Sequence, residues 1–242
     1  YMEHEWPVPK GSPSSMAALR WMQVPGIDLL AFQFSPTSLE RNGRYLLNVK
    51  ELSSVANQCG RTRTLCESTG GGGYGYGPRE MKPLEDFLLA GGVNLLTPHL
   101  SHQTLAGCRK HDWPHTISDH APWWHAYGAH VAHLSRAAYA LAQGRERNRV
   151  LVLLPTTTGW LHYRPACFRW PGEGSEWSPE PLRAAVEGAL VALYAGQVDF
   201  DLGDELLIEE LGGVEGSRLR VGQASYEAVV VPGGMETWHR AA

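Results

Sequence analysis

Glu67 closes the run Arg61-Thr62-Arg63-Thr64-Leu65-Cys66-Glu67. After Ser68 and Thr69 it is followed by Gly70-Gly71-Gly72-Gly73-Tyr74-Gly75-Tyr76-Gly77-Pro78. A short β-favouring run ends on a carboxylate, glycines turn the chain, and a proline suits the first turn of a helix. The pattern places Glu67 where a parallel strand gives way to its loop, the position from which barrels and open α/β sheets present catalytic groups. A carboxyl there can act as general base, general acid or nucleophile. Chemistry of this kind commonly uses a second carboxyl. Glu3 and Glu5, in Glu3-His4-Glu5-Trp6-Pro7, are the candidates by residue type, each alternatively a salt-bridge residue of a loop.

Nine Trp and eleven His accompany these acids, many of them in Pro-rich, non-periodic surroundings. Aromatic-lined, wet pockets use such residues, and sugar rings stack their C–H faces on indole, although Trp also fills large cores. The candidate binding residues are His4, Trp6, His99, His102, Arg109, Asp112, Trp113 and Trp124. Most cluster in the long irregular stretch from Leu100 to Pro122, which also holds His111, His115, Asp119 and His120. Loops of that length within a compact fold are usually functional or disordered, and the Trp and His content argues against disorder. His and Asp can bind zinc-like ions, but no HxxxH or HExxH is present and His130 and His133 stand three apart. Hydrogen bonding to substrate hydroxyls is the favoured reading, and no residue is assigned to a metal. A hard cation such as calcium, held by carboxylates and carbonyls, leaves no signature at this level.

Gly70, Gly72 and Gly75 satisfy GxGxxG. A dinucleotide site also expects an acid at the end of the following strand. Here that segment ends Thr97-Pro98-His99, and Glu67 would set a negative charge beside the pyrophosphate. The glycines are better read as letting the backbone approach a substrate. No GxSxG occurs. The four cysteines, Cys59, Cys66, Cys108 and Cys167, show neither CxxC nor finger-like spacing. Cys66, next to Glu67 on a strand, must face the opposite way.

The elements that position these groups follow from apolar runs and their stops. A short helix is expected within Ser14 to Met22, and a buried strand over Gly26 to Phe32. A helix from about Tyr45 to Gln58 carries Leu52, Val55, Ala56 and Cys59 on one face and stops at Gly60. The strand to Glu67 follows, then a helix from Pro78 to Gly91 with Met81, Leu84, Phe87 and Leu88 on one face. Next come a strand over Val93 to His99 and a helix from about Trp123 to Ala142, with Tyr127, Val131, Leu134, Ala138 and Leu141 on one stripe. This β-α-β-α-β-loop-α order is that of parallel α/β folds. An eightfold barrel suits it better than an open sheet, since the polar and aromatic residues follow the strands, although a doubly wound sheet shares that feature.

A second unit begins at Arg149, with strands over Val150 to Pro155, Phe200 to Leu202 and Tyr226 to Pro232, and helices over Pro179 to Ala195 and Leu206 to Leu211. The expected fold class is α/β: the C-terminal part of a (β/α)8 barrel over residues 1–148, then a flavodoxin-like or amidotransferase-like domain over 149–242. Both ends are expected to be cut within a fold. Charged residues at 19%, hydrophobic ones at 43% and a net charge of −4 without a basic run describe a globular chain with no nucleic-acid partner. No stretch approaches a membrane span, and no signal peptide is visible after Tyr1.

Several of these segments together resemble a known group. Glu3-His4-Glu5-Trp6-Pro7, Met22-Gln23-Val24-Pro25-Gly26-Ile27-Asp28, Arg63-Thr64-Leu65-Cys66-Glu67, Gly92-Val93-Asn94 and Trp123-Trp124-x-x-Tyr127 look like bacterial barrel glycoside hydrolases. The resemblance is to those close to the α-L-rhamnosidase family, whose barrel is followed by a β-galactosidase-trimerisation-like domain. It runs over nearly the whole chain and is poorly specific for the sugar. It implies a large multidomain parent with β-sandwich domains, acid/base cleavage of plant or microbial polysaccharides, inversion of configuration and a calcium requirement in some relatives. It also implies periplasmic or extracellular placement and leaves an oligomer open. Glu67 matches the carboxylate after a late barrel strand, and Glu3 or Glu5 its partner unless that partner lies upstream of Tyr1. A retaining β-galactosidase-like hydrolase and a non-catalytic carbohydrate-binding protein on the same fold are the rivals.

Overall fold

The structure, a computed structural model, describes residues 14–111, 117–162 and 180–239, with the side chains of Gln33, Arg109 and Lys110 outside the description. Three parallel strands, β1 (Gly26–Leu30), β2 (Leu65–Gly70) and β3 (Leu95–Pro98), lie side by side in chain order. Helix α2 (Gly43–Cys59) links the first two and α3 (Pro78–Ala90) the next two, while a short α1 (Ser15–Leu19) precedes them. Helix α4 (Tyr127–Leu141) packs on α3. The expected strand-helix alternation is present, and among the described residues this sheet is open rather than closed into a barrel.

The second half holds another parallel sheet, with β4 (Val150–Leu154) between β5 (Phe200–Asp204) and β9 (Ala228–Val230). Helices α5 (Thr156–His162) and α6 (Glu180–Ala195) follow β4, and α7 (Glu205–Leu211) follows β5. An antiparallel meander, β6 (Gly212–Glu215), β7 (Arg218–Val221) and β8 (Ala224–Tyr226), completes the chain order before β9. The meander and α5 are additions to the sequence reading. Strands of three or four residues with alternating polar side chains carry too little apolar pattern to register.

Glycine and proline set the element ends where the sequence marks them. Gly60 stops α2 in the left-handed conformation, with its N–H on the Ala56 carbonyl. Pro78 opens α3, and the Glu80 carboxylate accepts the Gly77 N–H to close the first turn.

Helix α2 departs most from expectation. Its pattern predicts one buried face, yet 14 of its 17 residues are buried. One side packs on β1 and the other on β5 and α6, so Leu46, Val49, Leu52 and Val55 belong to the same core as Val152, Leu154, Val186, Leu190 and Leu202. The polar residues on the second side are buried because they meet partners. Ser54 Oγ accepts the Leu202 N–H at 2.7 Å, and Gln58 Nε2 donates to the Leu202 carbonyl at 2.7 Å and to the Tyr226 hydroxyl at 3.0 Å. The Tyr226 hydroxyl donates to Asp201 Oδ2 at 2.9 Å, while Asn57 and Asn148 donate to Oδ1 at 2.9 and 2.8 Å. Burial pushes the Asp201 carboxyl up, with Lys50, Asn57 and Asn148 pulling the other way. Lys50, itself 5% exposed, reaches Glu146 at 3.1 Å. Burial alone would raise the Glu146 carboxyl, but Lys50, Asn148 and Asn57 outweigh it and hold it below the usual range.

Two outcomes follow from this clasp. Tyr226→Phe removes a buried hydroxyl that satisfies Asp201, and should cost about 1–3 kcal/mol in urea unfolding; a loss within about 0.5 kcal/mol, the scatter of neutral surface changes, would contradict the role given to it. Because Glu146 is held low in the folded state, its contribution is present above the unfolded carboxylate range and is lost as pH falls through the folded value. Glu146→Gln should therefore flatten part of the stability loss between about pH 5 and about pH 3, read from urea midpoints across that window.

Candidate functional site

The alternation of β2 sorts its side chains between two faces. Cys66 is fully buried in the apolar core with Ile27 and Leu29 of β1, toward α2 and α3. Glu67 therefore points from the other face, away from the helices, as the strand geometry requires. Burial of the Cys66 thiol pushes it well up, reinforced by the charge of Asp28, which marks it as a structural thiol rather than a nucleophile.

Glu67 sits deeper than the sequence implies. The glycine run after Thr69 reads as the start of the loop, yet β2 continues to Gly70, because Ser68 pairs with Pro98 of β3 and Gly70 with Leu30 of β1. Glu67 is thus inside the strand, across from Asp28 on one side and Thr97 on the other. These three side chains form one row on the face turned from the helices, with Asp28 and Glu67 half-buried and Thr97 exposed.

His99, just past β3, comes to the same face. Its Nε2 lies 3.8 Å from Glu67 Oε1, and both side chains keep about a fifth of their surface open (19% and 20%). The approach is built by the backbone. The His99 N–H donates to the Ser68 carbonyl at 2.7 Å, and the Thr69 hydroxyl donates to the His99 carbonyl at 3.4 Å. Gly70 leaves room for it: a Cβ there would stand 3.1 Å from Leu30 Cδ2 and 3.6 Å from the His99 side chain. Thr69 adopts φ +68°, a left-handed conformation that a β-branched residue takes at a cost and that concentrates at functional sites. His99 Nδ1 is buried with no hydrogen-bond partner among the described residues. The arrangement offers a carboxylate able to accept or give a proton, with an imidazole beside it.

The remaining candidate residues divide. Glu3, His4, Glu5, Trp6, Asp112 and Trp113 lie outside the described residues, as does the side chain of Arg109. His102 is half-buried in the segment after β3. Trp124 is 44% exposed and stacks on Tyr127, ring centroids 5.7 Å apart and planes 20° from parallel. Trp123 packs over bare Gly77 and against Tyr127, tying the glycine loop after β2 to the start of α4. Asp28 is not among the residues that the sequence singles out. Its signal is cross-strand register, which a single sequence does not display.

The buried stripe of α4 is Tyr127, His130 and Leu134, whereas the expected Val131 and Leu141 are exposed. The reason is a pair of contacts with α3: His130 Nε2 to Glu85 Oε2 at 2.6 Å, buried, and His133 Nε2 to Asp86 Oδ1 at 2.8 Å, open to solvent. The two histidines are thus joined to carboxylates rather than to each other. Burial raises the Tyr127 hydroxyl to about 12, with the Glu85 charge adding to it. Among the described residues no group of three or more His, Cys, Asp or Glu side chains is placed to hold a metal ion.

No family model matches the chain, and no curated protein does. Solved structures do: a rhamnosidase from Novosphingobium sp. PP1Y aligns over 93% of this chain at 16% identity with a TM-score of 0.61. The chain spans 20% of that rhamnosidase's length. The likeness shows a shared mixed α/β fold.

The two histidine contacts differ in burial, and that difference sets their worth. His130→Ala strands a fully buried Glu85 carboxylate and should destabilise by about 3–5 kcal/mol. His133→Ala breaks a solvated pair and should cost below about 1 kcal/mol. Equal losses in paired urea titrations would contradict this account of the α3–α4 contact.

Proposed function

We propose that this chain is part of a glycoside hydrolase resembling the α-L-rhamnosidases, with Glu67 as a catalytic carboxyl. In this reading residues 1–148 form the C-terminal part of a (β/α)8 catalytic barrel. Residues 149–242 form a flavodoxin-like accessory domain of the β-galactosidase-trimerisation kind, and the order β5-β4-β9, first strand in the middle, supports that assignment. The open three-stranded sheet would be an arc of the barrel, with its helix-free face turned inward.

One observation carries the reading: Glu67 rises from the face of a parallel sheet that bears no helix among the described residues, with His99 at 3.8 Å, in a chain whose fold recurs within a rhamnosidase. Glu67 would take the proton from the water that attacks the anomeric carbon, or attack that carbon itself. His99 and His102 would bind hydroxyls together with His4, Arg109 and Asp112. Trp124, Trp6 and Trp113 would be stacking platforms for sugar rings. Glu3 and Glu5 remain candidates for a second carboxyl. No step is routed through a metal. The product would be a free sugar released from a polysaccharide outside the cytoplasm, with neither nucleic acid nor membrane as partner. Among the described residues no helix is long and apolar enough to cross a membrane.

The exposure of Trp124, 44%, favours a second reading, a carbohydrate-binding protein without turnover. Kinetics of the full-length protein on p-nitrophenyl α-L-rhamnopyranoside separate the two. Glu67→Gln should lower kcat by on the order of 10²–10⁴-fold, as loss of a proton-transfer group does, with an unchanged circular dichroism spectrum. Near-normal turnover in the variant would sink the role of Glu67. Sugar affinity without turnover in the wild type would favour the binding protein.

A further inference from the structure

We propose that β2 carries a positioning device for this site, an extra residue at Ser68–Thr69. It sets bare Gly70 opposite Leu30 and so lets the His99 imidazole lie beside Glu67. The inference rests on the hydrolase reading above. The register shows the insertion. Asp28 pairs with Glu67 and Leu30 with Gly70, so between these rungs β1 supplies Leu29 alone while β2 supplies Ser68 and Thr69. Two residues facing one make a β-bulge. Bulges are rare in parallel pairs, and they gather next to active sites, where they re-aim side chains.

Side chains alternate between the faces of a strand, so a regular ladder would pair Leu30 with Thr69 and place that threonine on the face of Glu67. On the other side of β2, Ser68 pairs with Pro98, and the next residue, His99, comes to that same face. A β-branched side chain and an imidazole would then stand side by side on adjacent strands. The bulge removes the conflict. Thr69 is drawn out of the row and fully buried, at φ +68°, with its hydroxyl donating to the His99 carbonyl at 3.4 Å. Gly70 takes its place opposite Leu30. A Cβ there would stand 3.6 Å from both Cβ and Cγ of His99, and the further atoms of a branched side chain would compete with the ring for its place. With glycine present, the ring reaches 3.8 Å from Glu67 Oε1.

The choice of residues separates room from backbone conformation. Position 69 has the left-handed backbone that favours glycine, yet holds threonine; position 70 lies outside that region, yet holds glycine. A fold served only by an easy turn would have them the other way round. Glycine stands where a side chain would meet His99, and the strained conformation is borne by its neighbour. Two hydrogen bonds hold that neighbour in place: the His99 N–H donates to the Ser68 carbonyl at 2.7 Å, and the Gly72 N–H to the Thr69 carbonyl at 3.3 Å.

The test measures full-length protein on p-nitrophenyl α-L-rhamnopyranoside and a panel of other aryl glycosides, using Gly70→Val, His99→Ala and the two combined. His99→Ala should lower kcat/KM by about tenfold or more, as loss of a hydrogen bond to a charged group does. Gly70→Val should cost a like factor, divided between kcat and KM in the same proportion, because both variants take the same imidazole from Glu67. The double variant should stay within about twofold of His99→Ala, since Gly70→Val then acts through a ring already gone. A general packing defect would instead multiply the two losses. Multiplied losses, a different division between kcat and KM, or either single variant within about twofold of wild type would overturn the proposal. Turnover still abolished by Glu67→Gln would in that event leave the hydrolase reading standing. A wild type that turns over no member of the panel would overturn both. Gly70→Ala asks a smaller shift, with Leu30 Cδ2 at 3.1 Å from its Cβ, and carries the same expectation of a loss shared with His99 should the valine variant fail to fold.

Discussion

The burial of helix α2 on both sides is the constraint on which the rest of the structure depends. A helix that packs one face on a sheet can tilt or slide by a fraction of a turn. One held between β1 on one side and β5 and α6 on the other cannot, because any movement opens voids in a single continuous core. The polar clasp makes the position directional. Ser54 and Gln58 hold the backbone of Leu202, and Gln58 meets Tyr226, which in turn holds Asp201. Apolar packing alone would tolerate several registers between α2 and the second sheet. Hydrogen bonds to the N–H and the carbonyl of one residue permit one.

That anchoring reaches the candidate site through β1. Ile27 and Leu29 belong to the core that α2 organises, and their packing fixes which way the alternate residues of β1 point. Asp28 is between them, so the alternation of the strand turns it to the opposite face. Cys66 does the same for Glu67 on β2. The ladder then transmits position sideways: Thr97 and His99 on β3 take their places from the pairing of Glu67 and Ser68. A site laid out this way is held by backbone and core.

How much of this could be read from residues alone depends on whether the signal is local. The strand-helix order was legible, since continuous apolar runs ending in glycine or proline are local facts, and so was the opposed facing of Cys66 and Glu67. The depth of Glu67 was not. Ser68-Thr69-Gly70 look like the start of a glycine loop, and only pairing with β1 and β3 makes them strand. The full burial of α2 was hidden by Asn48, Lys50, Ser54 and Gln58, whose polarity argues for solvent until their distant partners are known. His130 was hidden likewise, a polar residue beside an apolar stripe by sequence and the buried member of that stripe in the fold. In each case the missing information was a contact between residues far apart in the chain. Asp28 belongs to the same class, for its meaning comes from the residue across the ladder.

The division of labour between the two faces of the first sheet explains why a costly constellation can persist. The helix-facing side carries fully buried Ile27 and Cys66 and nearly buried Leu29, and burying a large aliphatic side chain contributes about 1.5–3 kcal/mol. The other side carries a group that gives stability back, a threonine in a left-handed conformation worth about 1–3 kcal/mol of strain. A sheet with both faces apolar would be more stable and would have no place for chemistry. Here the surplus from the α2 side is what lets the other face remain polar and strained. The same reasoning sets where variation can be tolerated. Changes at Glu67 act on a side chain outside the core, whereas changes at Ile27 or Cys66 act on the core itself and reach the site only by displacing the strands that carry it.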